Sequence, residues 1–416
     1  MLSLNSPGSF RLCANPAFEE EAVRELESLV SFTGGATHGL PVSGLLLTGS
    51  FARGEGVIVP DRQAGLRWLS DVECLVVMPD DRRRHFPRLA ESLGNAAAQI
   101  NREAGRQSKG IKIELSPILA SRLAAMRPAI FSCELIAHAK LLWGRPDEIP
   151  MPPEFEARSE LLRRDAFRLL NNRIMEQIAL RLRLADERVS VQRSDVAYAL
   201  SKFWVELGTS VSVFLDCYCT SYQGRQAALE HVLTSFGGGL DEETVAVLVS
   251  KLAEGMALKL GHISADQYCI EDSLERAADI GSRIWWWETS KLLGKNTYDP
   301  DWRSVAATLR RVETAAARIR DWGRLLLRSG AFENLRAGAF GDVLRAGSFG
   351  NAVYAAGCLL TFFWDQVGSG DGPGLEISRS LGRLFGVDAR CGRKSRRLLA
   401  ECAVHSWSRH LRSAAA

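Results

Sequence analysis

The chain has 416 residues, 46% of them hydrophobic and 24% charged, with a formal net charge of +3. That length suggests two or three domains of ordinary globular composition, long enough to bury more than one core. A charge this close to neutral gives no ground for a nucleic-acid or membrane partner. Nine cysteines without a CxxC pair argue against a zinc knuckle or a disulfide framework.

Reduced, mostly buried thiols in a cytoplasmic protein are therefore expected. The acidic run Glu19-Glu20-Glu21, with no basic-then-apolar segment before it, shows no signal peptide. A first helix is predicted over 16–31, where Phe18, Val23, Leu26, Leu29 and Val30 recur at helical spacing. Val42 to Leu47 is a short apolar run ending in Thr48-Gly49-Ser50, a strand meeting a turn. Asp71 to Met78 is a second apolar strand, opened by acids. Residues 82–104 are predicted helical. Gly110 to Ser116 alternates, with Ile111, Ile113 and Leu115 on one face and Lys112, Glu114 and Ser116 on the other. Residues 129–143 are predicted to return to helix.

Ile149-Pro150-Met151-Pro152-Pro153 is the strongest boundary signal, because three closely spaced prolines make a stiff connector. It divides a mixed domain, 1–150, from a helical one, 151–416. The helical half has amphipathic stretches over 157–185, 191–221, 241–259, 264–294 and 302–328. A further break is expected near 330–350, where Leu335 to Gly341 is repeated as Leu344 to Gly350; a glycine-rich turn pair between helices is the expectation. Val353 to Trp364 is too short to span a bilayer and predicts a buried helix. The basic residues Arg383, Arg390, Arg393, Lys394, Arg396 and Arg397 are expected on a solvated helix face. The seven histidines form no ligand-spaced pair.

The chemistry concentrates in the mixed half. Gly49-Ser50 closes one strand, Asp71-Val72-Glu73 opens the next, and Glu114 lies on a later one. Side chains at i and i+2 of a strand share a face, so Asp71 and Glu73 point together. Phosphoryl transfer needs its poor nucleophile activated and its anionic leaving group neutralised. Two divalent ions ~4 Å apart do both, and carboxylates are their natural ligands. A glycine at the turn lets backbone approach a phosphate, the Ser50 hydroxyl donates to one, and Arg53 adds a cation or pairs with Glu55.

This order of Gly-Ser, Asp-x-Glu and a later single acid resembles the nucleotidyltransferase superfamily typified by DNA polymerase beta, over residues 40–150. The resemblance implies an α+β fold, with a small mixed β-sheet nucleotidyltransferase domain followed by a mainly α-helical domain that closes over the nucleotide. It implies that Gly49 and Ser50 hold the triphosphate, and that Asp71 and Glu73 bind two Mg²⁺ or Mn²⁺ ions. Glu114 would bind the catalytic ion and help deprotonate the acceptor. Ala139 to Pro146 resembles the family's helix ending in an apolar-Gly-x-Pro turn. Two departures stand out. Twenty residues, 51–70, separate Ser50 from Asp71, so Val57 to Trp68 is expected to loop out beside the site. Both later acids are Glu where Asp is common.

Helical domains of this superfamily often send a basic residue to the triphosphate, which makes Arg173 and Lys202 the candidates here. The implied activity is transfer of a nucleoside monophosphate, AMP first, from a nucleoside triphosphate to a hydroxyl on a small molecule or protein. Nucleic acid is a less favoured acceptor. Two other readings stay open: an inactive nucleotide-binding regulator, and a helical interaction module.

Overall fold

A computed structural model describes residues 11–61, 65–106, 111–155, 159–186, 190–236, 239–270, 273–295, 302–327, 346–367, 372–385, 387–388 and 392–415. The fold is α+β, and its chain divides into two compact units. Unit 1 is Met1–Leu162 with Tyr218–Ala228 and Met256–Ser264; unit 2 is Arg163–Cys217, Leu229–Gly255 and Ala265–Ala416. The single cut expected at 150 is thus displaced, and two segments of the helical half belong with the sheet.

Unit 1 is built on a mixed sheet of β1 (Gly44–Thr48), β4 (Val72–Met78), β5 (Ile113–Leu119) and β6 (Lys140–Gly144), in the order β5-β4-β1-β6. β1 runs antiparallel to both β4 and β6, whereas β4 and β5 are parallel. The continuous apolar runs of β1 and β4 follow from burial on both faces. On one face Leu45, Leu47, Val76 and Met78 pack with Leu26 and Leu29 of α1 (Glu19–Ala36) and Leu89 and Leu93 of α3 (Phe86–Arg106). On the other, Leu46, Leu75 and Val77 pack with Leu123 of α4 (Ala120–Ala124), Leu135 of α5 (Ile130–His138) and Ile149. Between β1 and β4 lies the four-residue α2 (Gly49–Ala52). The alternation expected from Ile111 to Ser116 holds residue for residue: the apolar members are buried and Lys112, Glu114 and Ser116 exposed.

Two expectations are corrected. Val57 to Trp68 does not simply loop out. It forms the hairpin β2 (Ile58–Asp61) and β3 (Gly65–Trp68), and its base, Val57, Ile58 and Trp68, is buried, with Phe51 5.0 Å from Trp68 between ring centroids. Residues 139–146 do not end a helix either. The helix stops at His138, and Lys140–Gly144 pairs along the open side of β1. A short apolar run such as Leu141-Leu142-Trp143 has no periodicity to separate helix from strand. The unpaired backbone edge of β1 decides it. Gly144 closes this strand at φ +113°, and a Cβ there would lie 2.3 Å from the Ser43 carbonyl oxygen.

Unit 2 is helical. It includes α6 (Glu160–Leu184, from Arg163 on), α7 (Arg193–Phe214), most of α8 (Tyr222–Phe236) and α9 (Glu242–Lys259), and α10 (Ser273–Leu292). It continues through α11 (Val305–Val312), α12 (Ala315–Leu327), α13 (Phe349–Phe362), α14 (Gly372–Phe385) and α15 (Arg393–Ala415). The stretch expected over 191–221 stops at Phe214, α8 was not anticipated, and 302–328 is split after Val312. Trp285, Trp286 and Trp287 are all buried, because α10 is surrounded at this level. Asn171 accepts from the Trp285 indole at 3.1 Å, and Asn172 from the Tyr354 hydroxyl and the Trp407 indole. That gives the Asn171-Asn172 pair a packing role.

The buried helix expected near Val353 is α13, capped by the Ser348 hydroxyl. The first copy of the glycine-rich repeat, Leu344 and Arg345 of the second, and Arg390 lie outside the described residues. Of the basic tract, Arg396 donates to the Trp364 carbonyl, and Arg397 pairs with Glu401 and Asp186. Among the described residues no helix is long and apolar enough to cross a membrane.

Gly144→Ala should destabilise the protein by about 2 kcal/mol or more, combining a disfavoured backbone with a backbone clash. Urea denaturation reads this directly, and a neutral result would count against the β1–β6 pairing. A second expectation concerns Glu288, buried in α10, whose carboxyl burial pushes up from 4.5 to about 8 although the Ser210 hydroxyl opposes the rise. The folded state retains a proton in this window that the unfolded chain releases, so stability falls as pH rises from 4.5 to about 8. Glu288→Gln should flatten that part of the denaturation profile; an unchanged slope would place its origin elsewhere.

Candidate active site

The acids meet where β4 and β5 begin. The parallel register sets Glu73 opposite Glu114, and the antiparallel register sets Thr48 opposite Glu73. The Thr48 hydroxyl donates to the Glu73 carbonyl at 3.1 Å and ties the end of β1 to that position. Glu73 belongs to the β4 face that continues as Leu75 and Val77, so its aliphatic stem starts from an apolar floor.

Gly49 adopts φ +68°, and a Cβ on it would stand 2.8 Å from Glu73 Oε2. The absent side chain is the space the carboxyl group occupies. Burial pushes the Glu73 carboxyl above its ordinary value, and Glu114, Asp71 and Glu134 add to the rise while Arg53 opposes it. Ser50, next in the turn, is half-buried, with its carbonyl accepting from the Glu55 amide at 2.9 Å.

Asp71 and Glu114 do not stand alone. The Lys112 ammonium donates to Asp71 Oδ2 at 3.0 Å and to Glu114 Oε1 at 2.6 Å. The three side chains are 55%, 40% and 52% exposed in that order, so this is a solvated triplet at the mouth beside the half-buried Glu73. The sequence carried the signal: Lys112 precedes Glu114 by two residues and therefore shares its face.

Whether these residues suit a divalent ion is a question of donor chemistry. Three carboxylates on adjoining strands are hard oxygen donors of the right kind. Lys112 already stands as a positive charge between two of them. As the side chains stand, however, no group of three or more His, Cys, Asp or Glu among the described residues is arranged to hold a metal. The donor set fits a divalent cation in composition and register, with the Lys112 ammonium standing between two of its members.

Of the two roles expected of Arg53, a cation for the triphosphate or a partner for Glu55, the structure has the second, and Arg53 is enclosed. Its side chain is 4% exposed, bound to Glu55 at 2.9 Å and to Glu134 of α5. Glu134 also accepts from Arg225 at 2.8 Å and from the Tyr218 hydroxyl at 3.2 Å. Glu55 accepts from the Tyr222 amide at 2.7 Å, and the Arg53 guanidinium lies 4.4 Å from the Tyr222 ring centroid. Lys259 approaches the same ring at 5.3 Å. This buried network fastens both late segments of unit 1 to the turn that follows Ser50. Glu134, Tyr218, Tyr222 and Arg225 were not singled out in the sequence, since charges 91 residues apart show no spacing.

Arg173 and Lys202 belong to unit 2, where Arg173 pairs with Glu176 and Lys202 stands 3.9 Å from the same carboxylate. No protein-family profile matches the chain, and no curated protein is similar enough in sequence to count as a relative.

Replacing Glu134 by Ala should cost about 3–5 kcal/mol, because two buried guanidiniums lose their common counter-charge. Thermal or urea denaturation gives the number. A loss under about 1 kcal/mol, the range of a surface pair, would mean that the cluster is solvated.

Proposed function

We propose that the chain is a metal-dependent nucleotidyltransferase, transferring a nucleoside monophosphate, AMP first, from a nucleoside triphosphate to a hydroxyl of a small molecule or protein. One observation carries the reading. The register sets Glu73 opposite Glu114, with Asp71 just ahead of β4 and joined to Glu114 through Lys112, beside a glycine that leaves room for the Glu73 carboxyl. Three acids so close repel one another, and a phosphate-bound cation is the partner such a cluster serves.

In this reading Asp71, Glu73 and Glu114 would hold Mg²⁺ or Mn²⁺. When bound, such ions supply charge neutralisation at the triphosphate and acidify the acceptor hydroxyl. The protein's own contributions are separate. Ser50 offers a hydroxyl donor to a phosphate oxygen. Gly49 keeps the space over Glu73 open. Glu114, at the exposed mouth, is placed to accept the acceptor's proton. Glu55 and Arg53 take no direct part, and anchor the turn from beneath. Arg173 and Lys202, both beside Glu176, stay the helical unit's candidates for a basic contact with the triphosphate.

A second reading has its own support. Lys112 already neutralises Asp71 and Glu114, as a residue of a non-catalytic nucleotide-binding protein would.

Incubation with labelled nucleoside triphosphates, Mg²⁺ and pooled hydroxylated acceptors should release pyrophosphate and a labelled conjugate. Asp71→Asn should remove at least ~10³ of that rate, equivalent to about 4 kcal/mol in the transition state. Turnover that survives the substitution rejects the assignment. Calorimetric binding of ATP with Mg²⁺ but no turnover selects the non-catalytic reading.

A further inference from the structure

We infer that Lys112 is an internal competitor for the metal: its ammonium holds Asp71 and Glu114 in the metal-free protein and is displaced when a divalent cation binds. The inference rests on the metal-binding reading of these acids and adds a residue whose role sets the site's affinity.

The argument begins with the strand. Lys112 and Glu114 are two residues apart in an alternating segment, so both project from the face that carries Glu73 on the neighbouring strand. Asp71 immediately precedes β4, and the Val72 amide donates to the Lys112 carbonyl at 2.8 Å, which fixes the backbone at this level. From there the ammonium reaches Asp71 Oδ2 at 3.0 Å and Glu114 Oε1 at 2.6 Å. A single cation thus satisfies one oxygen from each of two strands.

The ammonium stands between the two carboxylates, taking one oxygen of each, so it occupies the place from which one cation can reach both acids at once. A divalent ion that bridges Asp71 and Glu114 takes that place and meets a like charge there, and so displaces the ammonium. Lys112 is able to leave. It is 55% exposed, on a flexible four-carbon stem, and an exposed ion pair is individually weak. The substitution of one cation by another keeps the acids neutralised throughout, so the site never carries its full negative charge bare. It also sorts ions by charge. A monovalent cation brings no more charge than the ammonium it would expel, whereas a divalent one does. The displaced ammonium stays tethered at the mouth, where an anionic triphosphate would meet it.

The test measures Mn²⁺ binding by electron paramagnetic resonance, with and without a non-hydrolysable ATP analogue. It compares the wild-type chain, Lys112→Met and Lys112→Gln, each also carrying Glu114→Gln. Lys112→Met keeps the stem and removes the charge. It should bind Mn²⁺ about tenfold tighter than wild type, the loss of two exposed ion pairs that metal no longer has to break. Lys112→Gln should shift in the same direction, and adding Glu114→Gln should weaken binding in every background. Melting temperature supplies the second readout: Lys112→Met should melt lower without metal and gain more from Mn²⁺ than wild type does.

Equal or weaker Mn²⁺ binding by both Lys112 variants overturns the inference. If wild type still binds the ion and Glu114→Gln weakens it, the metal-binding reading survives that result. Mn²⁺ binding that is absent, or indifferent to Glu114→Gln in every background, removes the metal site itself and the inference with it. A lower melting temperature with unchanged Mn²⁺ affinity assigns Lys112 a structural role only, which also overturns it.

Discussion

Like charges placed opposite each other on neighbouring strands repel, and unit 1 is organised around one such placement. The β4–β5 register sets Glu73 against Glu114, with Asp71 two residues upstream, ahead of the strand. The apolar residues of that face, Leu75, Val77 and Ile118, pack further along the strands and leave the acids at its open end. The surrounding features answer it. Lys112 spans the two exposed acids. Gly49 gives up a side chain so that the third can fit. Arg53 lowers the tendency of Glu73 to take up a proton, against its burial. A sheet built with neutral residues here would avoid this cost.

The second charged assembly has a different character. Arg53, Glu55, Glu134 and Arg225 are nearly removed from water, and each carboxylate accepts from more than one donor. Ion pairs in such surroundings add little net stability relative to well-packed apolar groups, but losing one partner is severe. Their effect is therefore to specify one arrangement. They determine how the turn after Ser50 is seated, and through it the approach to Gly49.

Much of this was legible in the sequence where local pattern carries information. The alternation of Ile111 to Ser116, the buried runs of β1 and β4, and the helices α1, α3 and α6 follow from periodicity alone. The pairing of Asp71 with Glu73 was expected from counting by two, whereas the register that sets Glu114 opposite Glu73 is written in no local window. What stayed hidden depended on partners distant in sequence. Leu141-Leu142-Trp143 becomes a strand because β1 has an open edge, which no local window contains. Val57 and Trp68 become core because Phe51 waits beneath the hairpin. The pairing of Arg53 with Glu55 was visible as one of two alternatives, whereas its second partner, Glu134, lies 81 residues away. Lys112 is the exception, since it was visible on the correct face and its consequence follows from elementary charge counting.

Unit 1 is not contiguous in the chain, because Tyr218–Ala228 and Met256–Ser264 join a body begun before residue 163. During synthesis the sheet emerges from the ribosome long before those segments do. Arg225 is made 91 residues after Glu134, an interval of roughly 5 to 18 s at typical elongation rates. For that time the carboxylate and its first guanidinium partner wait half-assembled, exposed to solvent and to any chaperone that recognises unfinished surfaces. The nascent protein thus completes its first-made half only when much of the second has already been translated.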